Sequence, residues 1–257
     1  MNLPVTHRPA GPEIHQLTSF APIPGHGILP VHAHLVRAEQ PLLIDTGLAP
    51  QGEGFVAALR ELIAPEDLRW IWITHTDPDH MAHFAQILEL APHAQVVTGF
   101  LGAAKIGLLR LPTDRVQVLA PGQTLDLGNR QLLAVRPPTY DAPETLAPFE
   151  TVTRTFFSAD SFGALMDAEF EHGAQVDPGA RREGMARWIA LDAPWMAMVE
   201  GAPFREALAS LRRLTPQRVL SSHLPIHEGA FDPLLADLEA ARIAVRESPA
   251  VKLARAA

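Results

Sequence analysis

The sequence predicts an α/β fold laid out as a single domain over residues 1–257, and three features carry that expectation. An apolar run at 70–73 stops abruptly at a loop holding His75, Asp77, Asp79 and His80, as a buried strand does when it delivers polar groups at its carboxyl end. A second apolar run at 42–44 precedes it, and the segment between, 52–63, has Phe55, Leu59 and Leu62 at helical spacing. Strand, helix and strand in that order make a crossover and hence an α/β layer. Downstream, the apolar segments 116–119, 123–127 and 131–135 are punctuated by Gly122 and Gly128-Asn129, which reads as consecutive antiparallel strands.

Composition narrows the function classes. With 47% hydrophobic residues the chain can bury a large core. A net charge of -8 disfavours nucleic acid and anionic membrane surfaces as partners. The absence of cysteine rules out disulfides, iron–sulfur clusters, thiolate zinc sites and cysteine nucleophiles together, so any metal must be held by nitrogen and oxygen. Residues 1–12 lack the basic start and apolar core of a signal peptide, and no apolar run approaches bilayer length. A cytoplasmic protein is the expectation.

Taken in order, segments 14–20 and 29–37 read as strands around a Pro/Gly-rich loop at 21–27. His32 and His34 share one face of the second, as a chelating pair or at a strand edge or pocket rim. The 42–44 strand closes in Asp45-Thr46-Gly47, a turn-forming triplet. After the 70–73 strand come a helix at 81–90, a strand at 95–98 and a helix at 101–109. The proline-rich stretch Arg136-Pro137-Pro138-Thr139-Tyr140-Asp141-Ala142-Pro143-Glu144-Thr145 is a loop, and 151–157 alternates as a strand ending in Phe157-Ser158-Ala159-Asp160-Ser161-Phe162-Gly163. Segment 165–194 is polar and mixed in charge, a lid or a connection. A helix at 203–214, with Phe204, Leu208 and Leu211 on one face, leads to a strand at 217–220, then Ser221-Ser222-His223, and a closing helix at 230–246.

The dense loop has two readings. Asp79 as a helix N-cap with Asp77 in an Asx-turn explains the carboxylates. It leaves His75 and His80 unexplained, whereas a metal uses all four donors.

His75-x-Asp77-x-Asp79-His80 resembles the His-x-His-x-Asp-His signature of the metallo-β-lactamase fold superfamily. The aspartate at the second position looks like the flavodiiron proteins and the oxygen-binding diiron proteins that lack their flavodoxin domain, which carry a carboxylate there. In that family the Asp45 of Asp-Thr-Gly supports the ligand histidines, a role that suits an acceptor for an imidazole N–H. Aligned on its proline, the 136–145 loop resembles His-x-Pro-Asp-Ser and puts Asp141 where the third histidine belongs. A shift of one residue nominates Tyr140, and a plain turn is the remaining option. Phe157 to Gly163 resembles Phe-Ser-x-Asp-x-Phe-Gly, in which the aspartate, here Asp160, bridges two metals. Residues 221–226 resemble Ser-x-His-Gly-Pro-Ile, making His223 the last ligand, with Leu224 in place of glycine.

The resemblance implies an αβ/βα sandwich, two mixed β-sheets with helices outside. It implies two metal ions: His75, Asp77 and Asp141 on the first, Asp79, His80 and His223 on the second, Asp160 between them. So oxygen-rich a set favours iron, with zinc or manganese as alternatives. Four carboxylates against two divalent cations leave the site near neutral, which acidifies a bridging water less and suits redox chemistry more than hydrolysis. The expected activity is that of a non-haem diiron protein binding or reducing dioxygen or nitric oxide. With no flavodoxin-like segment in view and no cysteine for a cluster, it would draw on an external electron donor. The alternative is a dinuclear zinc or manganese hydrolase cleaving an ester, lactone, thioester or phosphodiester; the third is a degenerate member whose first site is incomplete. The family also suggests a homodimer.

Overall fold

The computed structural model describes residues 2–247. Contacts divide them into two compact units, one formed by 2–21, 31–137 and 142–153, the other by 22–30, 138–141 and 154–247.

The first unit is organised by a seven-stranded mixed sheet whose spatial order equals its chain order: β1 (Thr6–Gly11), β2 (Ile14–Ile23), β3 (Gly27–Val36), β4 (Leu42–Ile44), β5 (Trp70–Trp72), β6 (Gln95–Thr98) and β7 (Val116–Val118). β1 and β2 form an antiparallel hairpin, with Glu13 in the left-handed region at its turn. β3 and β4 are antiparallel, and β4 to β7 run parallel. The parallel half follows from helical returns: α1 (Glu53–Leu62), the pair α2 (Pro78–Met81) and α3 (Phe84–Leu90), and α4 (Phe100–Leu108).

β5 has parallel neighbours on both sides, and Leu43, Ile71 and Val96 face α1 and α3 in one core with Phe55, Leu59, Phe84 and Ile87. Each such side chain taken out of water contributes roughly 1.5–3 kcal/mol. This core fixes the carboxyl ends of β4 and β5, and with them Asp45 and His75.

The remaining strands pair within their own units. β8 (Thr124–Asp126), β9 (Gln131–Val135) and β10 (Ala147–Glu150) make an antiparallel meander in the first unit. β11 (Thr155–Phe157) and β12 (Arg218–Leu220) are parallel in the second, and β13 (His227–Glu228) is antiparallel to β12. The second unit also holds α5 (Pro178–Asp192), α6 (Gly201–Leu214) and α7 (Asp232–Glu247).

Four expectations are corrected. The 116–119 segment is not part of the downstream antiparallel series: it is β7, parallel to β6, because the chain changes sheets at the Gly122 turn. The alternation at 151–157 is not one strand, since Glu150 accepts hydrogen bonds from Val152 N (2.7 Å) and Thr153 N (2.8 Å) and turns the chain between β10 and β11. The helix at 81–90 begins earlier, as α2, and breaks at His83, whose Nδ1 donates to Thr46 O (2.8 Å). Segment 165–194 is not simply a connecting loop, because it holds α5. Asp177 caps α5 by accepting from Ala180 N (2.9 Å), Pro178 takes the first helical position, and buried Asp237 on α7 receives Arg181 Nε (3.0 Å) and Arg182 Nε (2.9 Å).

Candidate metal centre

In the first unit the ligand-bearing loop hangs on one buried carboxylate. Asp45 lies in the left-handed region (φ 59), a conformation aspartate tolerates better than most residues. Gly47 follows at φ 71, where a Cβ would run into Gln51 Oε1 and the Phe55 ring. This turn aims the Asp45 side chain back across the end of β5, where it accepts from Thr74 N (2.8 Å), Thr74 Oγ1 (2.8 Å) and His80 Nδ1 (2.8 Å).

Those bonds determine tautomers. A carboxylate only accepts, so His80 Nδ1 carries the proton and the neutral ring has its lone pair on Nε2. Having given its hydrogen to Asp45, the Thr74 hydroxyl accepts from His75 Nδ1 (3.1 Å), which fixes His75 in the same tautomer. Both imidazoles are fully buried, with centroids 3.9 Å apart. Asp79 Oδ2 lies 3.5 Å from His80 Nε2. Asp77 occupies the N-cap position of α2 but makes no side-chain capping bond, so the capping reading of this loop, which gave that position to Asp79, does not hold.

Thr76, between His75 and Asp77, donates to Glu144 Oε1 (2.7 Å), which also receives Lys105 Nζ (2.6 Å). Burial by itself would push the Glu144 carboxyl up; the bonds from Lys105 and Thr76 outweigh it and hold the pKa below its usual value. His32 and His34 do not sit on an edge, because β3 lies between β2 and β4. Their rings are buried with centroids 6.4 Å apart; His32 Nδ1 pairs with Thr18 Oγ1 (3.0 Å) and His34 Nε2 with Gln16 Nε2 (3.4 Å). Burial lowers the His34 pKa to about 3, slightly opposed by the Asp45 charge.

In the second unit, His223 follows β12 and is fully buried. Its Nδ1 must donate, because its partner is the Pro30 carbonyl (2.7 Å). Nε2 lies 3.2 Å from Asp160 Oδ1. Asp160 stands in a tight turn after β11 in which Ala159 (φ 50) and Phe162 (φ 67) are both left-handed, a strained backbone of the kind that gathers at functional sites. Ser158 Oγ donates to Ser161 O (2.9 Å), and Gly163 admits α5 so closely that a Cβ there would lie 2.6 Å from Trp188 Nε1.

Oxygens of Asp141, Asp160 and Asp192 lie within 4.8 Å of one another. The Tyr140 ring packs on Trp195 (5.1 Å) and its carbonyl accepts from Trp195 Nε1 (2.9 Å). Sequence reading nominated neither Thr74 nor Asp192. The pair Asp177-Pro178, a cap followed by a first-turn proline, was the available signal for the helix that brings Asp192.

The donor set suits a metal. Three buried histidines have Nδ1 held by an acceptor, the arrangement of metal-ligating imidazole. Two of these rings place Nε2 near a carboxylate oxygen, a contact that a ring proton or a metal cation satisfies. Nitrogen and carboxylate oxygen without sulfur suit iron, manganese or zinc. No helix among the described residues is long and apolar enough to cross a membrane.

The putative diflavin flavoprotein A 1 of Thermosynechococcus vestitus is 34% identical over 135 residues, 52% of this chain and 24% of that protein. The anaerobic nitric oxide reductase flavorubredoxin of Salmonella arizonae is 31% identical over 161 residues, 62% of this chain and 34% of that protein. The chain therefore spans 24% and 34% of these relatives' lengths. The rubredoxin oxygen:oxidoreductase of Desulfovibrio gigas superposes on 95% of this chain and 62% of its own with a TM-score of 0.80 at 19% identity, which shows the shared fold. The family model described as ODP family beta lactamase matches residues 30–223, from the middle of β3 through the Asp45 turn to His223, and the chain belongs to that family.

Proposed function

We propose that the chain is a non-haem diiron protein that binds or reduces dioxygen or nitric oxide. In this reading His75, Asp77 and Asp141 would hold one iron, Asp79, His80 and His223 the other, and Asp160 would stand between them. The observation that carries it is the common arrangement of His75, His80 and His223, each fully buried with its Nδ1 held by an acceptor. The order of the motifs along a matched span of 30–223 supports it as well.

Two ferrous ions held there would supply one electron each for the reduction of a diatomic oxidant. The chain's own residues do the rest. Asp45 and Thr74 hold two imidazoles in place, the Pro30 carbonyl holds the third, and the ligand carboxylates offset the metal charge. Burial of the histidines excludes bulk water from their donor atoms. Repeated turnover requires electrons from an external donor.

The test is reconstitution with ferrous iron under anaerobic conditions, followed by metal analysis and titration with oxygen while visible absorption is recorded. Two irons per chain and a stoichiometric spectral change on oxidation are the expected results. Fewer than two metals per chain sinks the dinuclear assignment. Two metals without oxygen or nitric oxide consumption, together with ester or phosphodiester cleavage by the zinc or manganese form, replaces it with hydrolysis.

A further inference from the structure

We propose that Glu144 is a positioning residue for the candidate ligands His75 and Asp77, acting through the hydroxyl of Thr76, the residue between them. The inference rests on the dinuclear reading above, and adds to it a second support for the ligand loop besides the Asp45 turn.

Every contact involved lies within the first unit. The chain leaves β5 through Thr74, His75, Thr76 and Asp77, and both threonines are tied by their hydroxyls: Thr74 donates to Asp45 (2.8 Å) and Thr76 to Glu144 Oε1 (2.7 Å). His75 is held through the Thr74 hydroxyl (3.1 Å). The Asp77 carboxylate, by contrast, bonds to no described residue, although it stands at the N-cap position of α2. Its direction is therefore set by the backbone on either side, which is Pro78, whose ring fixes φ, and Thr76. A His75 ring nitrogen and an Asp77 carboxylate oxygen come within 4.8 Å of each other, so a swing of the residue between them would pull these two donors apart.

Glu144 is built to prevent that swing. Its carboxylate is buried, and Oε1 takes both the Thr76 hydroxyl and the half-exposed Lys105 ammonium of α4 (2.6 Å), while Oε2 bonds to no described residue. The hold on this side chain is thus the pair of donors at one oxygen, and a hydroxyl given to an ionised acceptor is fixed more firmly than one given to a neutral oxygen. The segment that carries Glu144 is docked by other groups: Leu146 N donates to Thr74 O (2.8 Å), Trp72 Nε1 to Leu146 O (2.7 Å), Thr145 Oγ1 to Ala142 O (2.7 Å) and Arg136 Nη1 to Thr145 O (2.9 Å). At Gly99 a Cβ would lie 2.9 Å from Glu144 O, so the start of α4 packs directly on this backbone. These bonds place the segment without help from the Glu144 side chain. Taking a carboxylate out of water is costly even when a lysine accompanies it, and what this one adds to the docked segment is its grip on Thr76.

The experiment is stepwise titration of the metal-free full chain with ferrous iron, followed by Mössbauer spectra of the loaded protein, for the wild type, Thr76→Val, Thr76→Ser and Glu144→Gln. Thr76→Val keeps the shape of the side chain and deletes the hydroxyl, and Thr76→Ser restores it. The expected result is two irons in the wild type and, in Thr76→Val, a loss of about tenfold or more in affinity for the iron assigned to His75 and Asp77, with the other changed by less than about twofold. The spectrum of the weakened iron should change as well, which a role in loop stability alone would not produce, and Thr76→Ser should return both readings to near wild type. Glu144→Gln leaves Thr76 only a neutral amide oxygen and should weaken the same iron by roughly threefold to tenfold; it decides the matter if Thr76→Val does not fold. Affinities and spectra unchanged in Thr76→Val, or in Glu144→Gln where that variant decides, overturn this inference alone. So does a loss shared equally by both irons, or one that Thr76→Ser fails to restore. A wild-type chain binding fewer than two metals overturns the dinuclear reading and this inference together.

Discussion

The loop after β5 draws His75, Asp77, Asp79 and His80 from six consecutive residues and ties two of them to one carboxylate, Asp45. The candidate donors of the other unit, Asp141, Asp160, Asp192 and His223, come from four separate places in the chain. Their supports are equally scattered: the Pro30 carbonyl behind His223, Trp195 behind Tyr140, the strained turn around Asp160. A local set can be held by one buried hub. A dispersed set needs every element that carries it to be anchored, which is what the Arg181 and Arg182 bonds to Asp237 do for α5. The two arrangements should therefore fail differently when perturbed.

Breaking the hub should have the largest effect. Asp45→Asn keeps the volume and tolerates the left-handed backbone, but it removes the charge and one of the acceptor oxygens. His80 Nδ1 and Thr74 Oγ1 then compete for a weaker acceptor, and His75 is disturbed through Thr74. The expected loss is about 10- to 100-fold in metal affinity, felt by both metals, and a competitive titration with a chelator measures it. A loss confined to one metal would mean that Thr74 does not couple His75 to Asp45.

A pH experiment sharpens the comparison by separating the hub from its surroundings. Unfolded His34 takes up a proton near its ordinary value of 6.5, while the folded, buried ring resists until about pH 3. Between those values the unfolded chain binds more protons, so stability is fully present above pH 6.5 and drains as pH falls toward 3. The slope from this residue approaches about 1.4 kcal/mol per pH unit. Denaturant unfolding of the metal-free protein from pH 7 to 4 should show it, and His34→Gln should flatten it while leaving metal affinity at pH 7 within a few-fold. An unchanged slope would show that His34 is protonated in the fold.

The same contrast explains what was legible in the sequence. β4, β5 and the dense loop stood out because a short apolar strand ending in histidine and aspartate is a local pattern, and the Asp-Thr-Gly turn was equally local. Thr74 was hidden in plain view: as a threonine at a strand end it resembles any other, and only the side-chain bonds show that it passes the Asp45 contact on to His75. In the second unit Asp160 and His223 were readable through their motifs. Asp192 was not, because nothing near it in sequence bears on Asp141, and its helix carries charged residues such as Arg181 on a buried face, which erases the amphipathic signal. β10 and β11 fused into one apparent strand for a related reason: the alternating Thr-Val-Thr between them is a turn held by the Glu150 side chain.

The smallest effect is expected where a single neutral bond supports a dispersed donor. Trp195→Phe deletes the indole N–H that reaches Tyr140 O but keeps an aromatic ring against Tyr140. One such bond contributes about 1 kcal/mol, which corresponds to about fivefold in an equilibrium constant. Because Tyr140 adjoins Asp141, the change should fall on the metal assigned to His75, Asp77 and Asp141, and leave the other within twofold. Stepwise titration of the variant reads both constants at once. Equal weakening of the two metals would indicate that Trp195 supports the whole second unit, and the contrast between a hub and separately anchored donors would then lose its basis.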